Sequence, residues 1–516
     1  MASAAKLIAN LYRDSVSLMQ LSANLAARPG VEQASAIMAT PANLALLAAA
    51  GLEPGKIAPS PNDLLIAVRG RKAVELEAAL AAAVTELEQP AAIATTGGPA
   101  PMPLRSLQMA LEQSGAERRA PNLALISTPG EYAAAEAMKA LRLGLNAMLF
   151  SDNVTQRDEI ELKNYAKSRG LLVMGPDCGT AIIHGIPLGF ANAVRRGAIG
   201  VVGASGTGTQ QVTCLVHSLG AGISHAIGTG GHDLSAQVGG ITMLQGIKAL
   251  AADRGTKVIV LVSKPPSSEV ARRVLAAARR CGKPVVVNFV GAPVGSVRGG
   301  NLHQANTLED AARLAVRLVG GRAGDKIRIK ANPKAIPRAT ARQRYVRGLF
   351  SGGTFCYEAS MLLGAALGEV WSNAPVDPRM RLANVHKSRG HSLIDLGDDE
   401  FTRGRPHPMI DFRLRNERIL AEARDAEVAV ILLDVVLGYG AHPDPAAELA
   451  PVLEKARALA RKAGRKLALV GFVCGTGDDP QGLARQEQAL RAAGMVLTGS
   501  NAQAARLAGA IAARRR

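Results

Sequence analysis

Aromatic residues are scarce in this chain of 516 residues: they make up 3% of the sequence, with a single tryptophan, Trp371. Proteins that bind single-stranded nucleic acid stack bases on aromatic side chains, so this scarcity argues against such a surface. Acidic residues are also outnumbered, 42 to 61, which leaves a net charge of +19. The basic residues are scattered, and only Arg514-Arg515-Arg516 forms a run. We expect a surface that attracts small anions or an acidic partner, and no nucleic-acid partner.

Long apolar runs and patterned cysteines are missing as well. No stretch approaches the roughly 20 apolar residues that a membrane-spanning helix needs, and residues 1–10 hold too short an apolar segment for a secretory signal. The five cysteines are dispersed, with neither metal-ligand spacing nor a paired framework. We therefore expect a cytoplasmic protein with no membrane partner and no cysteine-based metal site. An apolar content of 48% indicates a globular chain.

Alternating strand and helix patterns divide the chain into four domains. Residues 1–90 predict a small ferredoxin-like α+β domain, and residues 101–190 alternate as βαβαβ, which indicates a parallel sheet. Residues 191–322 and 342–516 each predict a flavodoxin-like, Rossmann-like parallel sheet with helices on its faces. The predicted fold class is therefore α/β, with tandem parallel-sheet domains behind a small N-terminal α+β domain.

Two glycine-rich turns in the third domain carry the strongest functional signal. An apolar run at residues 199–202 stops at Ser205-Gly206-Thr207-Gly208-Thr209, and a helical pattern follows. The free N–H groups of a helix N-terminus attract anions. A second turn, Gly228-Thr229-Gly230-Gly231-His232-Asp233, follows the neighbouring strand, although ordinary strand-to-helix turns can have the same composition. The candidate phosphate- or substrate-binding residues here are Ser205, Gly206, Thr207, Thr209, Gly230 and Gly231.

The third and fourth domains contain similar motifs in the same order, which indicates an internal duplication. Ser205-Gly206-Thr207 corresponds to Gly352-Gly353-Thr354, each between a strand and a helix. Near the domain ends, Asp310-Ala-Ala-Arg-Leu-Ala corresponds to Gln503-Ala-Ala-Arg-Leu-Ala. Two such domains packed about a pseudo-twofold axis would face their glycine loops across one cleft and aim two helix dipoles at one anion. Gly352, Gly353 and Thr354 therefore join the candidate residues.

Other polar residues are open to two interpretations. His232 could contact a ligand from within the second turn or be an ordinary loop histidine. Cys178 fits a packed small residue better than a nucleophile. An acidic loop in the fourth domain could hold Mg²⁺ through carboxylates and water, or could be a solvated turn that caps a helix. This loop contains Asp395, Asp398, Asp399 and Glu400.

Several motifs, in order, resemble the succinyl-CoA synthetase superfamily. Its α-subunit motifs are matched by Thr128-Pro129-Gly130-Glu131-Tyr132, by Gly175-Pro176-Asp177-Cys178, and by the two glycine turns. The resemblance covers roughly residues 101–320, with 101–190 as a truncated CoA-binding-like domain, and the last domain resembles the C-terminal domain of the β-subunit. The segment at residues 347–356 and the front domain resemble most closely the FdrA-type branch.

This resemblance implies that the two glycine loops cradle a phosphoryl group between two helix N-termini. The synthetases pass phosphate through a histidine in a Gly-His-Ala-Gly loop, which is absent here; His303 is the nearest candidate carrier. The glutamate that supports that histidine is replaced by Lys264, and an ammonium cannot orient an imidazole as a carboxylate does. Lys264 could instead attract an anion, or simply lie at the surface. His232, Lys264 and His303 are the candidate catalytic residues.

The FdrA branch implies carbamoyl transfer between carbamoyl phosphate and oxamate in allantoin and purine nitrogen breakdown, performed by a large subunit with smaller partner subunits. An acyl-phosphate transition state needs preorganised N–H and hydroxyl donors and no covalent intermediate. One alternative is an NDP-forming acyl-CoA synthetase such as a succinate–CoA ligase, and another is a non-catalytic scaffold or regulatory subunit. The Gly-Phe-Thr-Gly loop for CoA and a P-loop are both missing, so CoA, a nucleotide and Mg²⁺ stay open as cofactors. A homo-oligomer is equally open.

Overall fold

A computed structural model describes residues 2–11, 13, 15–52, 59–88, 104, 106–115, 121–321, 340, 342–402 and 406–513. The chain forms two compact units, Met1–Val173 with Asp399–Ile410, and Met174–Asp398 with Asp411–Arg516. Within the described ranges, no helix has both the length and the apolar character that crossing a bilayer requires.

The first unit begins with a small antiparallel sheet, which confirms the predicted N-terminal α+β domain. Its elements are β1 (Ala2–Ile8), α1 (Ser15–Ala26), β2 (Val31–Met38), α2 (Pro41–Ala49), β3 (Leu64–Gly70) and α3 (Ala73–Glu88). The strand order is β1-β3-β2, and β3 is antiparallel to both neighbours. Alternate residues of β3 face opposite sides: Leu64 and Ile66 join one apolar cluster, and Leu65 joins another with Leu47 of α2. Both faces of β3 are therefore covered, which explains its continuous apolar run.

The βαβαβ pattern predicted for residues 101–190 follows in the chain, and its last strand ends at the first residue of the second unit. Its elements are α4 (Leu107–Gly115), β4 (Leu123–Ile126), α5 (Gly130–Arg142), β5 (Asn146–Leu149), α6 (Gln156–Ser168) and β6 (Val173–Met174). The strands lie in the order β4-β5-β6, and β4 and β5 are parallel. Helix α5 buries Ala133, Ala137 and Ala140, three small residues spaced along one helix face.

The first half of the second unit is a seven-stranded sheet. Its elements are β7 (Thr180–Ile183), β8 (Ile186–Gly189), β9 (Arg196–Gly203), α7 (Gly206–Ser218), β10 (Ile223–Gly228), α8 (Ile241–Ala252), β11 (Val258–Ser263), α9 (Ser268–Arg280), β12 (Val285–Phe289), β13 (Leu302–Gln304) and α10 (Leu308–Leu318). The order is β13-β12-β11-β9-β10-β7-β8. Its parallel strands β9 to β13 have the flavodoxin-like order 2-1-3-4-5.

The hairpin β7–β8 was not predicted from the sequence. It adds two antiparallel strands beside β10, and its residues precede position 190, where we had placed a domain boundary. His184 and Gly185 between the strands both have positive φ, as a two-residue type I′ hairpin requires. Histidine is an uncommon residue at positive φ, which is why the turn was hard to predict.

The second half of this unit repeats the same strand order. Its elements are β14 (Tyr345–Phe350), α11 (Gly353–Leu367), β15 (Val370–Ser372), a 3₁₀ turn at Pro378–Met380, β16 (His391–Asp395), α13 (Arg413–Arg424), β17 (Val428–Val436), α14 (Pro445–Lys462), β18 (Ala468–Cys474), α15 (Leu483–Ala492), β19 (Met495–Thr498) and α16 (Asn501–Ala513). The intervening α12 (Asp399–Thr402) belongs to the first unit. Strands β16-β14-β17-β18-β19 repeat the order of β10-β9-β11-β12-β13, so the predicted duplication is present in the fold.

Buried polar contacts join the two halves of the second unit. Glu358 of α11 accepts hydrogen bonds from the Leu308 backbone N–H (2.7 Å) and from the Asn501 side chain (2.8 Å). Burial raises the pKa of Glu358 to about 7. Helices α10 and α16, which carry the related Ala-Ala-Arg-Leu-Ala sequences, pack against each other, as do α7 and α11. The duplicated helices are therefore the surface along which the halves meet.

Candidate functional site

The two predicted glycine loops meet within the second unit. Ser205 is the N-cap of α7, and its hydroxyl accepts a hydrogen bond from the Gly208 N–H at 2.9 Å. The same hydroxyl lies 2.6 Å from the hydroxyl of Thr354, in the first turn of α11. The N-termini of two long helices from duplicated halves therefore lie side by side, which is the arrangement that the pseudo-twofold predicts.

Several backbone donors at this junction are unused. In the described part of the chain, the N–H groups of Gly206 and Thr207 in α7 have no hydrogen-bond partner, and neither do those of Gly353, Thr354 and Phe355 in α11. Donors of this kind carry the positive end of each helix dipole. The pair of helix ends, together with the Ser205 and Thr354 hydroxyls, can therefore bind an anion from two sides. We call these two loops, residues 205–208 and 352–355, the cradle.

Close packing explains the glycines of the cradle. A Cβ on Gly352 would lie 2.8 Å from the methyl carbon of Thr207, and a Cβ on Gly208 would lie 3.2 Å from that of Thr354. Both distances are too short for ordinary carbon–carbon contact. Glycine is needed here because each loop touches a threonine of the other loop.

A buried carboxylate anchors the second loop of the cradle. Asp434 of β17 accepts hydrogen bonds from the Ser351 N–H (2.8 Å), the Ser351 hydroxyl (2.6 Å) and the Gly352 N–H (3.1 Å). Arg415 of α13 pairs with the same carboxylate at 3.0 Å, and both side chains are almost fully buried. Sequence reasoning missed Asp434, although an aspartate inside the nine-residue apolar strand β17 was a usable signal.

Lys264 and Asp395 lie beside the cradle, each just beyond or at the carboxyl end of a strand. A Cβ on Gly353 would lie 3.4 Å from Lys264 Nζ and would overlap Asp395 Oδ2. Asp395 is 6% exposed. Burial raises its pKa to about 6; Lys264 opposes that rise, and the charges of Asp398 and Asp434 add to it. The candidate Lys264 therefore lies where it can meet an anion in the cradle.

The second glycine turn, residues 228–233, leads into α8 and helps to cap that helix. The buried Asp233 caps α8 by accepting hydrogen bonds from the N–H groups of Thr242 (3.0 Å) and Met243 (2.9 Å). Gly230 has φ +83°, and a Cβ there would overlap the carbonyl oxygen of Pro176. Gly231 and His232 are exposed on this turn. Cys178 is buried close to the Gly228 backbone, as expected of a packed small residue.

Two predicted residues lie apart from the cradle. Thr209 is fully buried and faces the backbone of Gly203, and within the described chain its hydroxyl has no hydrogen-bond partner. His303 lies in the edge strand β13 and pairs with Val286 of β12. Three strand spacings separate β13 from β9, which is about 14 Å at about 4.8 Å each. The sheet therefore holds this candidate phosphate carrier away from the first loop.

Across the residues that the structure describes, no three histidine, cysteine, aspartate or glutamate side chains converge as metal ligands would. Asp395 and Asp398 belong to the second unit, and Asp399 and Glu400 belong to the first. The cysteines are all free thiols, four of them buried.

Family models match three parts of the chain. Residues 1–101 match the AllF, heavy metal-associated domain, residues 194–291 match the CoA binding domain, and residues 349–511 match CoA-ligase. YahF of Escherichia coli K12 is 43% identical over 97% of this chain and 96% of that protein. This chain belongs to the YahF family. The family models also place it in the succinyl-CoA synthetase superfamily, so its recognition as an FdrA-type member of that superfamily is confirmed.

More distant relatives of this YahF-family chain share only part of its length. A succinate–CoA ligase α-subunit of Trichomonas vaginalis is 32% identical over 28% of this chain and 47% of that protein. A succinate–CoA ligase α-subunit of Archaeoglobus fulgidus is 29% identical over 34% of this chain and 62% of that protein. The chain thus spans about half to three-fifths of these ligase subunits.

Among solved structures, dinucleotide forming acetyl-coenzyme A synthetase 1 of Ca. Korarchaeum cryptofilum, in complex with phosphate and ADP, is 17% identical. It matches with a TM-score of 0.32 over 76% of this chain and 83% of that one.

Proposed function

We propose that this protein transfers a carbamoyl group between carbamoyl phosphate and an amide acceptor, oxamate, in purine nitrogen breakdown. The supporting observation is the cradle, where two helix N-termini lie side by side and the Ser205 and Thr354 hydroxyls are 2.6 Å apart. The phosphate of an acyl phosphate would accept hydrogen bonds from the unused N–H groups of Gly206, Thr207, Gly353 and Thr354. Thr207 would add a hydroxyl donor, and so would whichever of Ser205 and Thr354 does not donate to the other.

The cradle suits direct transfer better than transfer through a phosphohistidine. His303 lies in an edge strand about 14 Å from β9, and Lys264, which replaces the family's histidine-supporting glutamate, lies beside the cradle. An ammonium there stabilises negative charge on a departing phosphate, and this needs no covalent enzyme intermediate. Gly230 and Gly231 would shape the neighbouring turn, where the exposed His232 could contact the acceptor.

Smaller partner subunits are part of this proposal. The net charge of +19 favours an acidic partner as well as anionic substrates. A cytoplasmic location fits such metabolites. The acceptor site would then be completed in the assembled complex.

An NDP-forming acyl-CoA synthetase is the second candidate, because the matching family models are named CoA binding and CoA-ligase. That reaction would need CoA and a nucleotide, and a histidine that could reach the cradle. The position of His303 is the observation against it.

Calorimetric titration with carbamoyl phosphate, CoA and ATP, each alone, tests the proposal. Carbamoyl phosphate should bind the wild type, and the Ser205→Ala/Thr207→Ala variant should bind it at least tenfold more weakly. The matched control is Thr85→Ala. It removes an exposed threonine of α3, distant in sequence from the cradle, and should leave binding unchanged. Binding of CoA and ATP without carbamoyl phosphate would reject the transferase in favour of the ligase.

A further inference from the structure

Asp395 has a carboxylate oxygen that the fold does not use. Its Oδ1 accepts a hydrogen bond from the Gly397 N–H at 3.0 Å, while its Oδ2 points at the backbone of Gly353 in the first turn of α11. Among the described residues, Oδ2 has no hydrogen-bond partner. The Asp395 side chain is 6% exposed, and its Oδ2 keeps a small accessible surface. An oxygen left open beside a helix N-terminus is therefore placed for a ligand.

We propose that Asp395 is the proton-transferring residue of the cradle and accepts the proton that the attacking acceptor nitrogen loses. The inference rests on the proposed function. In carbamoyl transfer, the amide nitrogen of the acceptor forms a bond to the carbonyl carbon of carbamoyl phosphate. The bond from that carbon to the bridging oxygen breaks, and phosphate leaves with the bonding electrons. The nitrogen gives one proton to the Asp395 carboxylate, which can pass it to the departing phosphate.

The surroundings of Asp395 suit this exchange. Lys264 faces it from the loop after β11, Asp398 from its own loop, Asp434 from β17, and the buried thiol of Cys356 from α11. Burial raises the pKa of Asp395 to about 6. A general base works best with a pKa near the operating pH. A phosphate in the cradle adds negative charge nearby, so it should raise this pKa further and draw a proton onto Asp395.

The test compares the wild type with Asp395→Asn, which keeps the shape of the side chain and an oxygen for Gly397. Inorganic phosphate is titrated calorimetrically at pH 6.5 in two buffers of different ionisation enthalpy, which yields the protons taken up on binding. Phosphate itself ionises in this pH range and contributes to the values of both proteins, so we expect the wild type to take up a fraction of a proton more than the variant. The matched control, Asp377→Asn, changes an exposed aspartate of the same half and should behave as the wild type.

Turnover of carbamoyl phosphate with oxamate by the full chain, with its partner subunits when they are required, completes the test. Wild-type kcat/KM should rise with pH through about 6, because the base must be ionised. Asp395→Asn should lose that rise and about 100-fold or more in kcat.

The outcomes separate this inference from the proposed function. Phosphate binding with the same proton uptake in Asp395→Asn, or unchanged turnover in that variant, overturns the role of Asp395 alone. Failure of the wild type to bind phosphate and carbamoyl phosphate overturns the proposed function itself. When neither the wild type nor Asp395→Asn turns over, the difference in proton uptake on phosphate binding decides whether Asp395 has this role.

Discussion

The hydroxyl of Ser205 lies 2.6 Å from the hydroxyl of Thr354, although 149 positions separate them in the chain. Each residue is in the first turn or at the cap of a helix that follows the first parallel strand of its half. The two half-domains therefore present equivalent loops to one place. In a flavodoxin-like sheet that place is beside the first and third strands, where such folds bind their ligands.

A double-mutant cycle should detect this contact. Ser205→Ala and Thr354→Val each remove one hydroxyl, and the double variant should lose less stability than the two single losses added. We expect a coupling of about 1 kcal/mol in the free energy of unfolding. Urea denaturation of the four proteins measures it. Strict additivity would mean that the two hydroxyls do not interact in solution.

Lys264 should contribute to anion affinity. In Lys264→Met the cradle loses its neighbouring cation, and the Kd for carbamoyl phosphate should rise about ten- to a hundredfold, as for the loss of a hydrogen bond to a charged group. Lys257→Met is the matched control, because Lys257 is an exposed lysine at the opposite end of β11. Equal losses in the two variants would indicate a general charge effect instead.

Asp434→Asn should destabilise the second unit. It removes the partner of the buried Arg415 and weakens the anchor of Ser351 and Gly352. Leaving a buried charge unpaired costs about 3–5 kcal/mol. The exposed pair of Asp377 and Arg379 offers a control, because Asp377→Asn should shift the thermal unfolding midpoint far less. Similar midpoints for both variants would contradict the role given to Asp434.

Glu358 should make stability depend on pH. Its pKa in the folded protein is about 7, above the ordinary value of 4.5, so the folded state holds more protons than the unfolded state between these values. Stability should therefore fall as the pH rises from about 4.5 through 7. The loss approaches about 3 kcal/mol, at about 1.4 kcal/mol per pKa unit.

Urea midpoints at pH 5, 6, 7 and 8 should show that fall in the wild type and less of it in Glu358→Gln. Glu448→Gln, at an exposed position of α14, should keep the wild-type profile. A profile unchanged in Glu358→Gln would place the pH dependence elsewhere.

Sequence patterns were sufficient to predict the parallel sheets and the two loops that face each other. Alternation of buried strands with helices predicted the sheets, and the repeated Gly-Thr turns predicted that Ser205 and Thr354 would meet. Asp434 was missed, and Asp395 was considered only as a Mg²⁺ ligand. The positions of both depend on which strand ends lie beside the cradle, and strand order is a tertiary property. Thr209 resembled a phosphate ligand in sequence, yet helical geometry places it one turn below Ser205, facing inward.

The edge-strand position of His303 was unpredictable for the same reason. A sequence shows that a histidine follows the fourth strand of a half-domain, but only the strand pairing shows that it joins the sheet at its rim. The hairpin β7–β8 depends on two consecutive residues at positive φ, and one of them is a histidine. Neither the edge position of His303 nor the β7–β8 turn can be recognised from the types of residues present.

Because one polypeptide supplies both walls of the cradle, those walls are made in equal numbers and cannot separate on dilution. A cradle shared by two chains would fall apart below their dissociation constant, whereas here each loop meets its counterpart at a fixed and high effective concentration. Phosphate affinity should then be the same at nanomolar and micromolar protein. Any dependence of activity on protein concentration would report the recruitment of another subunit.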